Sequence, residues 1–396
     1  GTRFLHRRLR TPGQSRSMKQ GGVRTILSRV VYGRGHGQPD TLFVVALFAL
    51  VTFGLLMLSS ASAVVSYQKY GSAYYYITHQ ILFGFLPGLF LFALCSRFPY
   101  QYLQKYAFFF LLASIILLVL VFIPGVGYEY GGARRWLHAG PYLFQPSEFV
   151  KLTFLLYLAT WLSKKGEKHV QNFSYGFLPF LALLGTIALL VIAQPDMGTM
   201  GIIVLIAFTM FAVGGAKFSH VTLAVFGGLI VAMVLVNTAS YRFERFTTFL
   251  HPQQDPQGLG YHINQALLAV GSGGALGRGF GHSRQKFAYL PEVTGDSIFA
   301  IIAEELGFVL SIVLISLIMF LVFRGLAIAR RTPDVFGRLV VVGVMSWIAF
   351  QSFINIGAML SVLPLTGIPL PFISYGGSSL IILMAAAGIV ANISRS

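Results

Sequence analysis

Residues 297–323 read SIFAIIAEELGFVLSIVLISLIMFLVF, an uninterrupted apolar run in which Glu304 and Glu305 are the only charges. A membrane span needs about 20 mostly apolar residues, and this stretch exceeds that. The same criterion carried outward along the chain gives nine further runs, at about 41–60, 77–96, 106–123, 147–163, 177–193, 198–214, 220–236, 338–360 and 376–393. Composition agrees. Of the 396 residues 56% are hydrophobic and 10% charged, against roughly 25% charged in an average soluble domain. So few charges cannot cover a soluble surface. Disorder, a nucleic-acid-binding chain and a secreted disulfide scaffold are excluded as readings of the whole. The single Cys95 permits no internal disulfide. The expected fold is all-α, a polytopic membrane protein of about ten transmembrane helices.

The net charge of +17 suggests nucleic acid at first sight, but its distribution argues for a membrane. With residues 1–40 placed in the cytoplasm, 20 of the 29 Lys and Arg fall in inside segments and eight outside, with Lys151 in a span. That bias predicts both termini inside. Residues 1–40 read as a basic cytoplasmic tail without an apolar leader core, attracted to anionic lipid. Residues 41–396 form the transmembrane domain. Only Asp40, Glu167 and Asp334 of the acids lie in inside segments, so polar chemistry is expected at the outer face. Two outer segments are long, about 124–146 and about 237–296, the latter between spans seven and eight. A loop that long is usually functional. Residues 339–394 hold no charge and are interrupted by Pro364, Pro369, Pro371, Gly376 and Gly377. Such non-helical backbone is tolerated near a membrane only if packed in protein or lining a cavity.

The polar residues admit paired readings. The run Gly271–Gly281 lacks the lysine and spacing of a nucleotide loop. It is either a close-packed re-entrant turn or a nest of backbone amides for an anion. Arg284 and Lys286 are solvated loop cations or ligands of a pyrophosphate. Asp296 is an N-cap of the following helix or a general base at the membrane boundary. Glu304 and Glu305 either line a cavity or pair with another span, since intramembrane acids are costly. Glu148 and Lys151 share a helix face and form an ion pair, or Lys151 reaches a phosphate. Arg134, Arg135 and Trp136 fit a headgroup anchor as well as a substrate contact. Asp196 in QPDMGT fits a turn with an aspartate cap. No dedicated metal cage is visible. A Mg²⁺ or Mn²⁺ shared with substrate phosphates would leave no signature.

Taken together, GARRW at 132–136, QPSEFVK at 145–151, QPDMGT at 194–199, SRQKFAYLPEVTGDSIFAIIAEELGF at 283–308 and LPLTGIPLPFISYGGSSL at 363–380 resemble the SEDS family of bacterial cell-wall polymerases. These stretches run in family order across about 250 residues. The segments SRQKFAYLPE and TGIPLPFISYGG are more similar to the FtsW and SpoVE branch than to RodA. The resemblance implies a peptidoglycan glycosyltransferase of the bacterial cytoplasmic (inner) membrane, acting on lipid II at the division septum. It implies a class b penicillin-binding protein and other division proteins as partners, no organic cofactor and no nucleic acid. The family's catalytic Asp, in its HTDFIFA motif, falls on Asp296. Here Thr294 and Gly295 stand in place of the family His and Thr, so an accessory role for that His has no carrier. With Asp296 as general base, the candidate substrate contacts are Arg135, Glu148, Lys151, Asp196, Arg284, Lys286, Glu292 and Glu304. Two rival activities fit the same composition. One is a lipid II flippase, which predicts inverted repeats and a midplane site. The other is a scaffold for the penicillin-binding protein, which leaves the intramembrane charges unexplained.

Overall fold

The computed structural model describes residues 37–396 except 131–132, 140–141, 239, 256 and 288, so the basic tail lies outside the described residues up to residue 36. The long helices, in chain order, are α1 (Thr41–Tyr70), α2 (Tyr75–Cys95, with a π-turn over Ile81–Phe85), α3 (Gln101–Leu120), α4 (Pro146–Lys165), α5 (Phe173–Ala193), α6 (Met197–Val213) and α7 (Phe218–Asn237). They continue as α8 (Ser240–Leu250), α9 (Leu259–Gly273), α10 (Ile298–Arg331), α11 (Val335–Met359) and α12 (Gly377–Ile393). Each of the ten apolar runs coincides with a helix. Seven of them, α1, α2, α3, α5, α7, α10 and α11, are long and apolar enough to cross a membrane by length and composition. The helices α6 and α12 have 17 residues each, and α4 carries Glu148 and Lys151 in its interior. Helix starts follow side-chain chemistry. The carboxylates of Asp40, Asp196 and Asp334 accept from the Phe43, Thr199 and Gly337 amides and so open α1, α6 and α11.

The two long connections carry structure of their own. The segment after α3 is a small antiparallel sheet of β1 (Gly127–Tyr130), β2 (Ala133–Ala139) and β3 (Tyr142–Phe144), in that order. The fold is therefore helical with one short sheet. The aromatic residues Tyr128, Tyr130, Trp136, Tyr142 and Phe144, without a helical apolar stripe, suit strands. The outer loop at about 237–296 is not a structureless connection, because α8 and α9 lie inside it. Pattern matching for spans passes over helices of 11 and 15 residues. The expected break in the last apolar stretch is present, with residues 360–376 non-helical between α11 and α12.

The helix α11 sits at the centre, packed on α10, α6, α4 and α12. By contrast, α7 has only Ala224 buried among its 20 residues. The helix α10 is broken at Gly307, whose φ of 76° and ψ of −177° interrupt the helical course. The Gly-rich run supplies the missing partners. Arg278 and Gly279 amides donate to the Glu304 and Glu305 carbonyls, while Phe308 and Val309 amides donate to the Gly274 and Ala275 carbonyls. A methyl at Gly307 would press on the Gly277 amide nitrogen, and one at Gly277 on the Glu305 carbonyl oxygen. Gly307→Ala is therefore expected to cost about 1–3 kcal/mol from backbone strain alone, before the clash. Thermal unfolding of the purified variant in detergent measures it, and an unchanged midpoint would rule out the break.

Candidate functional site

The separated polar motifs meet at one end of the bundle. Arg135 on β2 donates through Nε to the Gln194 carbonyl (3.0 Å) and through its guanidinium to the Pro195 carbonyl. Gln145, Ser147 and Asp196 lie together at the openings of α4 and α6, with Gln145 Nε2 3.4 Å and Ser147 Oγ 3.5 Å from Asp196 Oδ2. Ser378 at the start of α12 receives the Gln145 amide and donates to the Leu143 carbonyl. On α11, Gln351 donates to the Pro369 carbonyl, and Asn355 donates to the Ile368 and Asp296 carbonyls, each at 2.8 Å. The Tyr375 amide donates to the Thr294 carbonyl at 2.8 Å. The turn 291–297 is thus held by α11 and by the 360–376 segment at once.

Asp296 ends that turn. Ile298 opens α10, the N-cap position is Ser297, and no side chain caps it. The N-cap reading of Asp296 is corrected accordingly. The turn keeps Asp296 one residue short of the cap, and its carboxylate is left to other work. It is partly buried. Burial and the neighbouring Glu292 charge push its carboxyl from 3.8 up to about 7, with Arg245 and the Ser297 hydroxyl pulling the other way. Glu292 itself is exposed, with a φ of 48°. Its carbonyl accepts the Gly295 and Ser297 amides (2.9 and 3.3 Å).

The other predicted ligands are engaged within the protein. Lys151 Nζ lies 2.7 Å from Glu148 Oε1 and 3.0 Å from Gln351 Oε1, over the Trp347 ring at 4.7 Å. Its side chain is 0% exposed. Glu304 accepts from Ser283 Oγ (2.5 Å) and from the Arg284 and Gln285 amides (2.9 and 3.3 Å). Glu305 holds Lys286 Nζ at 3.0 Å, Ser60 Oγ at 2.7 Å and the Gly281 amide at 3.0 Å. The two acids therefore tie residues 281–286 to α10 and α1. The amide nest foreseen in the Gly-rich run partly exists, and its anion is Glu305. Neither Lys151 nor Lys286 presents a free ammonium in this arrangement. Arg284 is exposed, with its backbone amide donating to Glu304 and its carbonyl accepting from the Phe287 amide.

Arg245 on α8 was not singled out by sequence. Its Nη1 reaches the Leu365 carbonyl at 3.5 Å, and its charge acts on Asp296 and His262. The signal was available in the segment SYRFERFTTFL, where Arg242 and Arg245 share one face of an amphipathic helix. Among the described residues no group of three or more His, Cys, Asp or Glu could hold a metal.

Comparison with known proteins matches residues 40–396 to the FtsW/RodA/SpoVE family model, described as "Cell cycle protein". Stage V sporulation protein E of Bacillus subtilis is 42% identical over 357 residues, covering 90% of this chain and 97% of that one. A probable peptidoglycan glycosyltransferase FtsW of Geobacter sulfurreducens is 38% identical over 355 residues, covering 90% and 95%. Among solved structures, a chain from a study of the structural coordination of polymerization and crosslinking by a peptidoglycan synthase complex superposes with a TM-score of 0.76 at 30% identity, covering 90% and 98%. The rod shape determining protein RodA of Thermus thermophilus superposes with a TM-score of 0.67 at 28% identity, covering 90% and 97%.

Proposed function

This chain belongs to the FtsW/RodA/SpoVE family, and from that membership and the site geometry we propose how it works as a multi-pass peptidoglycan glycosyltransferase. It polymerises lipid II on the outer face of the cytoplasmic membrane at the division septum, with Asp296 as general base. The observation that carries the base assignment is chemical. Of the acids the motifs bring to this end, Glu148 and Glu304 are ion-paired and Asp196 caps a helix. Asp296 and the exposed Glu292 do neither, and of these two Asp296 is the partly buried one, its carboxyl pushed up to about 7, which suits a general base near neutral pH.

The acceptor sugar hydroxyl loses its proton to an Asp296 carboxylate oxygen as its oxygen attacks the anomeric carbon. The bond from that carbon to the lipid pyrophosphate breaks with inversion, and the pair of electrons leaves on the phosphate. In this reading exposed Arg284 and partly buried Arg245 take up the negative charge of that leaving group. A divalent ion held with the substrate's own oxygens would neutralise part of its charge. Lys151, Glu148, Lys286 and Glu304 support the site from within the bundle. A class b penicillin-binding protein is the proposed partner. The match to a chain from a complex that couples polymerization to crosslinking supports it.

The test is glycan formation from lipid II by the purified protein with its transpeptidase partner, run from pH 5 to 9. A base acts only when deprotonated. With its carboxyl raised to about 7, the rate is expected to fall about tenfold per pH unit below that midpoint. Glu292→Gln removes the like charge and is expected to move the midpoint to lower pH. A rate that stays flat from pH 5 to 9 would show that the Asp296 carboxyl is not raised, and polymerisation by Asp296→Asn would take Asp296 out of the role.

A further inference from the structure

The short helix α8 (Ser240–Leu250) is amphipathic, and its apolar face points away from the protein. Phe243, Phe246 and Leu250 stand at i, i+3 and i+7 and so share one face. That face is exposed, at 51%, 44% and 54%. The opposite face carries Arg242, Arg245 and Thr248 and is turned inward, with Thr248 buried and both arginines partly so. Arg245 Nη1 reaches the Leu365 carbonyl at 3.5 Å, and Arg242 Nη1 donates to the Leu235 carbonyl at 3.2 Å. A helix on a water-bathed surface does the reverse, burying its apolar stripe and showing its charges. Three large apolar side chains turned outward, with two cations turned inward, are favourable where the medium outside is apolar.

We infer that Phe243, Phe246 and Leu250 form a lipid-docking face, which seats α8 in the acyl-chain boundary of the outer leaflet. The inference takes from the proposed function only that the Asp296 end of the bundle is the outer one. Continuity with α7 carries the choice of lipid. That helix is long and apolar enough to cross a membrane and has only Ala224 buried, so hydrocarbon covers its flanks. It ends at Asn237, and α8 begins at Ser240. The Arg242 contact reaches back over the last turn of α7 to Leu235. The start of α8 is therefore fixed where α7 leaves the hydrocarbon. A helix of 11 residues is about 16 Å long, too short to cross a core of about 30 Å, so α8 lies at the boundary. Glu244, roughly 160° around the helix from Phe246, is exposed and gives α8 a polar flank. With one face against lipid and the other against the 360–376 segment, α8 is clamped between bilayer and site, and Arg245 is held toward Leu365.

The experiment puts a nitroxide label on the full-length protein in liposomes of phosphatidylethanolamine and phosphatidylglycerol. A Cys95→Ser background leaves one thiol to label. Phe246→Cys reports the apolar face and Glu244→Cys the polar flank. At each position, accessibility to O₂, which concentrates among acyl chains, is compared with accessibility to a water-soluble nickel chelate. The ratio of O₂ to nickel accessibility is expected to be several-fold higher at 246 than at 244, and to stay so when the penicillin-binding partner is added. Equal ratios at the two positions would put water over the face and overturn the inference. A label at 246 shielded from both reagents would put protein there and overturn it as well. Shielding in this protein alone would mean a second copy of the chain, and shielding only after the addition would mean the partner. Leu250→Cys lies on the same face and replaces Phe246→Cys if that variant does not fold, with the same expected ratio. None of these readings depends on polymerisation. An Asp296→Asn protein that still polymerises would therefore overturn the proposed base and leave the lipid seat standing.

Discussion

Asp296→Asn is expected to abolish lipid II polymerisation while leaving the fold at least as stable as wild type at pH 8. Asparagine has the shape of aspartate but takes up no proton at neutral pH, so the base is lost and little else. Burial and the Glu292 charge push the folded carboxyl up to about 7 from the ordinary 3.8. Between those values the folded state holds a proton that the unfolded state has released. Stability therefore falls as pH rises from about 4 to about 7, and the group is a liability above that range. Removing its charge relieves that liability. No helix cap is lost, because Asp296 caps nothing. Gel analysis of glycan ladders and thermal unfolding in detergent, on the same preparation, check both halves. An Asp296→Asn protein that makes normal ladders would sink the mechanism. One that makes none because it unfolds would show that the carboxylate is structural.

Lys151→Ala is expected to destabilise the protein by about 3–5 kcal/mol, because it strands the Glu148 carboxylate in the bundle without its counter-charge. Glu148 is 2% exposed and its Oε2 already lacks a hydrogen-bond partner. Lys151 also holds Gln351, which in turn holds the Pro369 carbonyl and accepts from Trp347 Nε1 at 2.6 Å. The loss should therefore spread into the 360–376 segment beside Asp296. The double variant Glu148→Gln/Lys151→Met removes both charges together and is expected to recover most of the stability. Thermal unfolding of the three proteins measures this. If Lys151→Ala unfolded at the wild-type temperature and raised only the KM for lipid II, the ammonium would be a substrate ligand instead.

The positions of the long helices were legible because a hydrocarbon solvent demands apolar runs and leaves them in plain view. The break at Pro364–Gly377 was legible for the same reason, since proline and glycine interrupt such runs. Asp296 was legible only through the motif around it. Its position before an apolar helix predicts a cap, and the turn through Glu292 and Gly295 shifts that role away. The helix α8 with Arg245 stayed hidden, because an 11-residue amphipathic helix inside a polar segment does not satisfy a search for spans.

The amino-acid sequence by itself determined that this is a helical membrane protein, where its long helices lie, and which polar stretches belong to the site. Those follow from local composition and order. Only the tertiary structure decided which of those polar groups face each other. Four charges that read equally well as ligands, Glu148, Lys151, Lys286 and Glu304, turn inward, because an unpaired charge in the bundle costs more than a paired one. The carboxylate of Asp296 is held in no such ion pair and is partly buried with its carboxyl raised, which is why we propose it as the group that takes a proton from a substrate.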